Sequence, residues 1–131
     1  MSWTYSCPYC EKVVNPDETV ILLAERGDEQ TLLGFHPQPG NYTIYVPPGV
    51  TMSRGDEWEF SCPICRANLR AAEHPNLCAL TVWQGQDRRR VLFSRIVGEQ
   101  ATYVVADQQV AEAHGGDVDA YDTKKIKLAR K

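Results

Sequence analysis

The chain reads as a mainly β protein, or a small α+β one if a single short helix forms, organised around a cysteine cluster. Three observations carry that reading. Apolar and β-branched residues come in short runs bounded by Gly, Pro, Asn or Asp, such as Val20 to Ala24, Thr31 to Phe35 and Leu77 to Trp83. Four of the five cysteines form two C-x2-C pairs, at 7 and 10 and at 62 and 65. The best helix candidate is RANLRAAEHPN, directly after the second pair and ended by Pro75.

The elements follow in order. Trp3 and Tyr5 lead into the first cysteine pair as an alternating strand, and Trp58 and Phe60 lead into the second in the same way. Val20 to Ala24 and Thr31 to Phe35 flank the turn-like ERGDEQ and predict a hairpin. HPQPGN is a loop, because two prolines and a glycine leave no regular path. Tyr42 to Val46 suits a strand that Pro47, Pro48 and Gly49 end. Leu77 to Trp83 and Arg90 to Val97 are β-like runs joined by QGQD. Thr102 to Ala106 and Gln109 to Ala111 predict a further hairpin, and GGDVDAYD reads as an acidic loop.

A chain of 131 residues with 43% hydrophobic and 24% charged residues fits one folded domain. Residues 1–122 make up that β-rich domain and residues 123–131 a basic tail. The domain carries all 17 acidic residues and nine of the 14 basic ones, a net −8, while Lys124, Lys125, Lys127, Arg130 and Lys131 make the tail purely basic. The longest purely apolar run, Val20 to Ala24, is far short of the roughly 20 residues that span a bilayer, so no membrane helix is expected. The N-terminus lacks the pattern of a secretory signal, which makes the cytoplasm the expected address. In that reducing compartment cysteines serve as metal ligands or catalytic thiols more often than as disulfides.

The octapeptides WTYSCPYC (3–10) and WEFSCPIC (58–65) share five residues, and they are the one internal repeat the letters show. Two C-x2-C pairs supply four thiolates to a tetrahedral ion, and Cys7, Cys10, Cys62 and Cys65 are the expected ligands. Proline after the first cysteine of each pair pre-sets the turn. The expected ion is Zn²⁺, with iron as the alternative. CPYC and CPIC resemble the two knuckles of the zinc-ribbon class, each carried by a β-hairpin turn. With FSRIVGE at 93–99, the layout also looks like small uncharacterised bacterial zinc-ribbon proteins. The resemblance covers the ligands and their flanks and implies a fold element rather than an activity. It has one departure: many knuckles place glycine after the second cysteine, where this chain has Glu11 and Arg66, which predicts less regular knuckles and disfavours iron.

Other readings of the cysteines are weaker. CPYC is also the redox tetrapeptide of glutaredoxin-like proteins, but Asn15 and Pro16 leave barely one turn for the activating helix. A rubredoxin-like electron carrier would use the same four sulfurs for iron, against which stand the missing glycines and the long gap between pairs. Cys78, in LCALTVW, reads as a buried small hydrophobe. His36, His74 and His114 lie in three separate loop-like contexts, and no nucleophile elbow, phosphate loop or HExxH motif is present.

The chain is therefore expected to be a noncatalytic interaction module that binds a protein or a protein–RNA assembly. Nucleic-acid binding is the alternative, through Arg88, Arg89, Arg90 and the basic tail. The acidic body and a pI of about 5.6 weigh against general nucleic-acid affinity.

Overall fold

A computed structural model describes residues 3–38, 41–72, 74–106 and 109–116. The basic tail lies outside them. The described chain is mainly β and forms two antiparallel sheets. The strands are β1 (Thr4–Ser6), β2 (Val20–Arg26), β3 (Glu29–Phe35), β4 (Ile44–Tyr45), β5 (Glu59–Ser61), β6 (Leu77–Gln84), β7 (Asp87–Ser94), β8 (Thr102–Ala106) and β9 (Gln109–His114). One sheet runs β1-β6-β7-β8-β9 and the other β4-β3-β2-β5. No described helix is long and apolar enough to cross a membrane.

The expected hairpins form where the turn chemistry placed them. Gly27 and Gly85 adopt φ of 59° and 61°, a left-handed conformation that glycine reaches without a Cβ penalty, and so close β2–β3 and β6–β7 tightly. Of the strand expected over Tyr42 to Val46, only Ile44 and Tyr45 pair.

The expected helix after the second cysteine pair does not form, and no helix exists among the described residues. Residues 68–71 instead run extended beside β5 and β6, with bridges from Ser61 to Asn68 and from Arg70 to Cys78. The amides of Leu69 and Ala71 donate to the carbonyls of Phe60 and Leu77 at 2.8 Å. Those lateral bonds use the groups that helical i to i−4 bonds would need. The alternation in NLRA decides the matter, because Leu69 and Ala71 are buried while Asn68 and Arg70 are exposed, a period of two rather than 3.6.

The repeat extends far beyond eight letters. Shifting the β2–β3–β4 ladder by 58 residues reproduces β6–β7–β8: Leu22 opposite Leu33 becomes Leu80 opposite Val91, and Phe35 opposite Ile44 becomes Phe93 opposite Thr102. The lead-in strands are exchanged between the halves. In one sheet Tyr5 of β1 lies opposite Val82 of β6, and in the other Phe60 of β5 lies opposite Ala24 of β2. Two structural repeats are thus related by an approximate two-fold, with β9 as an addition to the second.

The main core lies between the sheets and draws on both halves, with Leu22, Leu33, Trp58, Leu80, Val82 and Val104 fully buried. Phe35 and Phe93, only partly buried, pack against it and meet the buried Phe60 at ring separations of 5.7 to 6.5 Å. A smaller cluster including Leu77, Leu92 and Tyr103 forms a separate apolar core on the five-stranded sheet.

Charges pin the flanks of β5. Arg95, its side chain only 11% exposed, pairs with Glu57 at 3.2 Å and Glu59 at 3.0 Å, and Arg70 also pairs with Glu59. Burial pushes the Glu59 carboxyl up, but the hydrogen bonds from Arg70 and Asn68 and the nearby guanidinium charges hold it below its usual value overall. A carboxylate depressed by folding stabilises the native state above its ordinary titration range, and that contribution fades as pH falls through the lowered value. Because Glu59 is one-third exposed, its contribution is expected to be about 1 kcal/mol or less. Glu59→Gln is therefore predicted to be slightly less stable at neutral pH and to lose less stability on acidification, as read by urea midpoints across the acid range. Parallel curves for the two proteins would show that the pair contributes nothing.

Candidate metal centre

Each cysteine pair sits on a knuckle entered by β1 or β5, and the two knuckles match bond for bond. The amides of Glu11 and Arg66 donate to the carbonyls of Cys7 and Cys62, both at 2.9 Å. The amides of Cys7 and Cys62 donate to the carbonyls of Lys12 and Ala67 at 3.1 and 3.0 Å. The return arms then rejoin their strands, with Val14 donating to Tyr5 and Leu69 to Phe60.

Glu11 and Arg66 have φ of 63° and 64°. The knuckles are therefore as regular as glycine would make them, which corrects the expectation drawn from the missing glycines. Two ordinary residues are held in a left-handed conformation that costs them about 1 to 2 kcal/mol each. With matched knuckles, knuckle geometry gives no ground for disfavouring iron.

The four sulfurs converge. Cys7, Cys10, Cys62 and Cys65 place their Sγ atoms within 4.8 Å of one another. The pairs Cys7–Cys65 and Cys10–Cys62, each spanning both knuckles, are 3.7 Å apart. A tetrahedron with metal–sulfur bonds of about 2.3 Å has edges of about 3.8 Å, so the donor set fits a single tetrahedral ion. It is also far from disulfide contact, and all five cysteines are free thiols.

Backbone amides supply the outer contacts. Tyr9 and Cys10 donate to Cys7 Sγ at 3.3 and 3.5 Å, and Ile64 and Cys65 donate to Cys62 Sγ at 3.3 and 3.4 Å. Such donors lower the charge on a thiolate and orient it. In the absence of a cation, burial pushes the Cys7 thiol up to about 12, while the Cys10 and Tyr9 amides pull it down. A metal at this point would supply the positive charge that lets the buried thiol ionise. Cys7 and Cys62 are buried, Cys10 is partly covered and Cys65 is exposed, so the site opens to solvent on one side. At that end Tyr9 and Ile64, equivalent residues of the two knuckles, are 63% and 54% exposed.

Asn15 locks the first knuckle. Its carboxamide accepts from the Tyr5 amide at 2.7 Å and donates to the Trp3 carbonyl at 2.6 Å. In the sequence Asn15 marks only the end of a possible helix. The letters offer only an asparagine before Pro16, ten residues after Tyr5, as a signal of this role.

The other candidates separate. Cys78 is buried, outside the cluster, and its thiol is pushed up to about 12 chiefly by burial, in keeping with an inert core residue. The arginine triplet lies on β7, where alternation points neighbours to opposite faces. Arg88 lies over the Trp83 ring at 5.9 Å, and Arg89 meets Glu112 at 3.5 Å. Arg88, Arg89 and Arg90 are thus not one continuous basic face. His114 contacts Glu112 at 3.0 Å, and the ring Nδ1 atoms of His36 and His74 accept from the Gln38 and Asn76 amides. None of the three belongs to the sulfur cluster. Lys124, Lys125, Lys127, Arg130 and Lys131 fall outside the described residues.

Comparison with protein-family models, curated proteins and solved structures finds no match to this chain.

Proposed function

We propose that the chain is a noncatalytic, zinc-stabilised interaction module that docks an extended segment of a partner protein by strand addition at β4. The observation that carries this reading is an asymmetry between the repeats. The outer edge of β8 is covered by β9, whereas its equivalent β4 ends its sheet among the described residues. Around that edge Ile44 (41%), Tyr45 (53%) and Leu32 (50%) are exposed. An open edge offers unpaired amides and carbonyls, and exposed apolar side chains beside it give an incoming strand something to bury.

The paired knuckles support the zinc-ribbon resemblance, and four sulfurs around one tetrahedral ion leave no ligand position open for substrate, as structural zinc sites do. Zinc in place of iron, a cytoplasmic address and the noncatalytic role belong to this same proposal, the free thiols suiting a reducing compartment.

The test uses full-length protein captured from its native host, together with elemental analysis. A protein retained by the unmodified chain, lost with Ile44→Lys and slowing hydrogen exchange of the residue 43–46 amides supports docking at β4. Retention unchanged by Ile44→Lys overturns it. Recovery of RNA with strong salt dependence points to nucleic-acid binding instead. Stoichiometric iron and red protein point to the rubredoxin-like carrier.

A further inference from the structure

A second site lies away from the sulfur cluster, where the two repeats face each other. The sheets do not close completely over the aromatic trio. A half-open cavity of about 370 Å³ remains, walled by Phe35, Phe60 and Phe93 with Leu22, Leu80 and Val91. The approximate two-fold pairs its walls: Leu22 matches Leu80, and Phe35 matches Phe93. Tyr5 and Phe60 are likewise equivalent, through the exchanged strands. Ligand cavities commonly form where two such units meet, and this one falls in their usual range of roughly 300 to 1,000 Å³.

The lining chemistry narrows what would bind. Arg95 and several of the polar groups around the cavity are already engaged within the protein. Arg95 is neutralised by Glu57 and Glu59 and also donates to the Pro75 and Trp58 carbonyls. The Tyr5 hydroxyl donates to the Pro37 carbonyl, and Ser94 Oγ accepts from the Ile96 amide. A charged ligand would have to leave water without gaining a free counter-charge, which is costly. A neutral apolar one loses nothing and fills space beside three aromatic rings.

Size and asymmetry refine the class. A dry apolar cavity of about 150 Å³ takes one benzene ring, so this one has room for about two rings. The repeats differ in polarity along the walls, with Tyr5 and His36 on one side where the other has Phe60 and Ser94. His36 Nδ1 accepts from the Gln38 amide at 3.1 Å, so in the neutral ring Nε2 carries the proton and is the donor. We propose that the cavity between the two repeats binds a neutral, mainly apolar molecule of about two aromatic rings, oriented by a single hydrogen-bond acceptor toward His36. Ile44 of β4 also lines the cavity, so the site borders that edge, but its ligand is a small neutral molecule rather than an added strand.

The test titrates the neutral fluorophore 6-propionyl-2-(dimethylamino)naphthalene, two fused rings carrying a ketone acceptor, into full-length, metal-loaded protein. Saturable binding is expected, with intermolecular nuclear Overhauser contacts to the Leu80 and Val91 methyl groups. Met52 lines the cavity and is only partly buried, so Met52→Trp fills the space at modest cost to the fold and is expected to weaken binding about tenfold or more. Unsaturable emission, contacts confined to Leu32, Tyr45 and Val46, or full affinity in a folded Met52→Trp protein would each overturn the proposal. The Overhauser contacts in the unmodified chain decide the matter if that variant fails to fold.

Discussion

Cys62→Ser is expected to lose the metal and to unfold both sheets together. Structural zinc in small modules contributes on the order of 10 kcal/mol, comparable with the whole stability of a domain, about 5 to 15 kcal/mol. The strand exchange spreads the damage. Cys62 follows β5, which lies in the β2–β3 sheet, while its partner sulfurs on Cys7 and Cys10 follow β1, which lies in the β6–β7 sheet. An N-terminal cysteine clip alone would have suggested that only the first half depends on the ion. The exchange ties each half's hairpin to the other half's knuckle, so a chelator acting under mild denaturant is expected to give one cooperative loss of β signal in far-UV circular dichroism. Cys78→Ala is the control, since Cys78 is equally buried but outside the cluster. It is expected to keep the metal and to cost about 1 to 2 kcal/mol. A metal-free Cys62→Ser protein that melts like the unmodified chain would remove the structural role of the ion altogether.

Trp58→Ala is the second large effect, expected to cost about 3 to 5 kcal/mol in urea unfolding. Trp58 is fully buried, and the Arg26 guanidinium lies over its ring at 5.2 Å. Trp3 occupies the same place in the first octapeptide but is only partly buried, so Trp3→Ala is expected to cost about 1 kcal/mol. Equal losses for the two would mean that packing at the two lead-in strands is symmetric after all. Trp58 also carries an indole Nε1–H that is buried and has no hydrogen-bond partner among the described residues. Trp58→Phe removes that unpaired donor, which would otherwise cost about 1 to 3 kcal/mol. It is therefore expected to lie much nearer the unmodified protein than the lost volume alone would place it.

Much of the local structure was legible because it rests on chemistry that particular letters announce. Gly27 and Gly85 mark the tight turns, since few other residues take a positive φ there cheaply. The four cysteines name their own cluster, because no other common side chain supplies a soft, compact donor at that spacing. The misreadings have equally specific causes. NLRA looked helical by composition, whereas its period-two burial and lateral bonds to Phe60 and Leu77 make it a return arm. Glu11 and Arg66 looked wrong for a knuckle, yet the bonds closing each turn over-determine the left-handed conformation.

The repeat was legible only at the sulfurs. Bringing four sulfurs to one point needs particular atoms, so WTYSCPYC and WEFSCPIC share five of their letters. A β-hairpin needs only alternation and a turn glycine, so ILLAERGDEQTLL and ALTVWQGQDRRRV share a register of 58 residues with little identity. The sequence by itself therefore determined the β class, the turns and which four cysteines cluster, all of which are short-range or element-specific. The tertiary structure alone decided that β1 and β5 trade partners, that two halves enclose a cavity, and that β4 stands open where β8 is covered. Those are long-range pairings, and backbone hydrogen bonds, being the same for every residue, leave no mark of their partner in the letters.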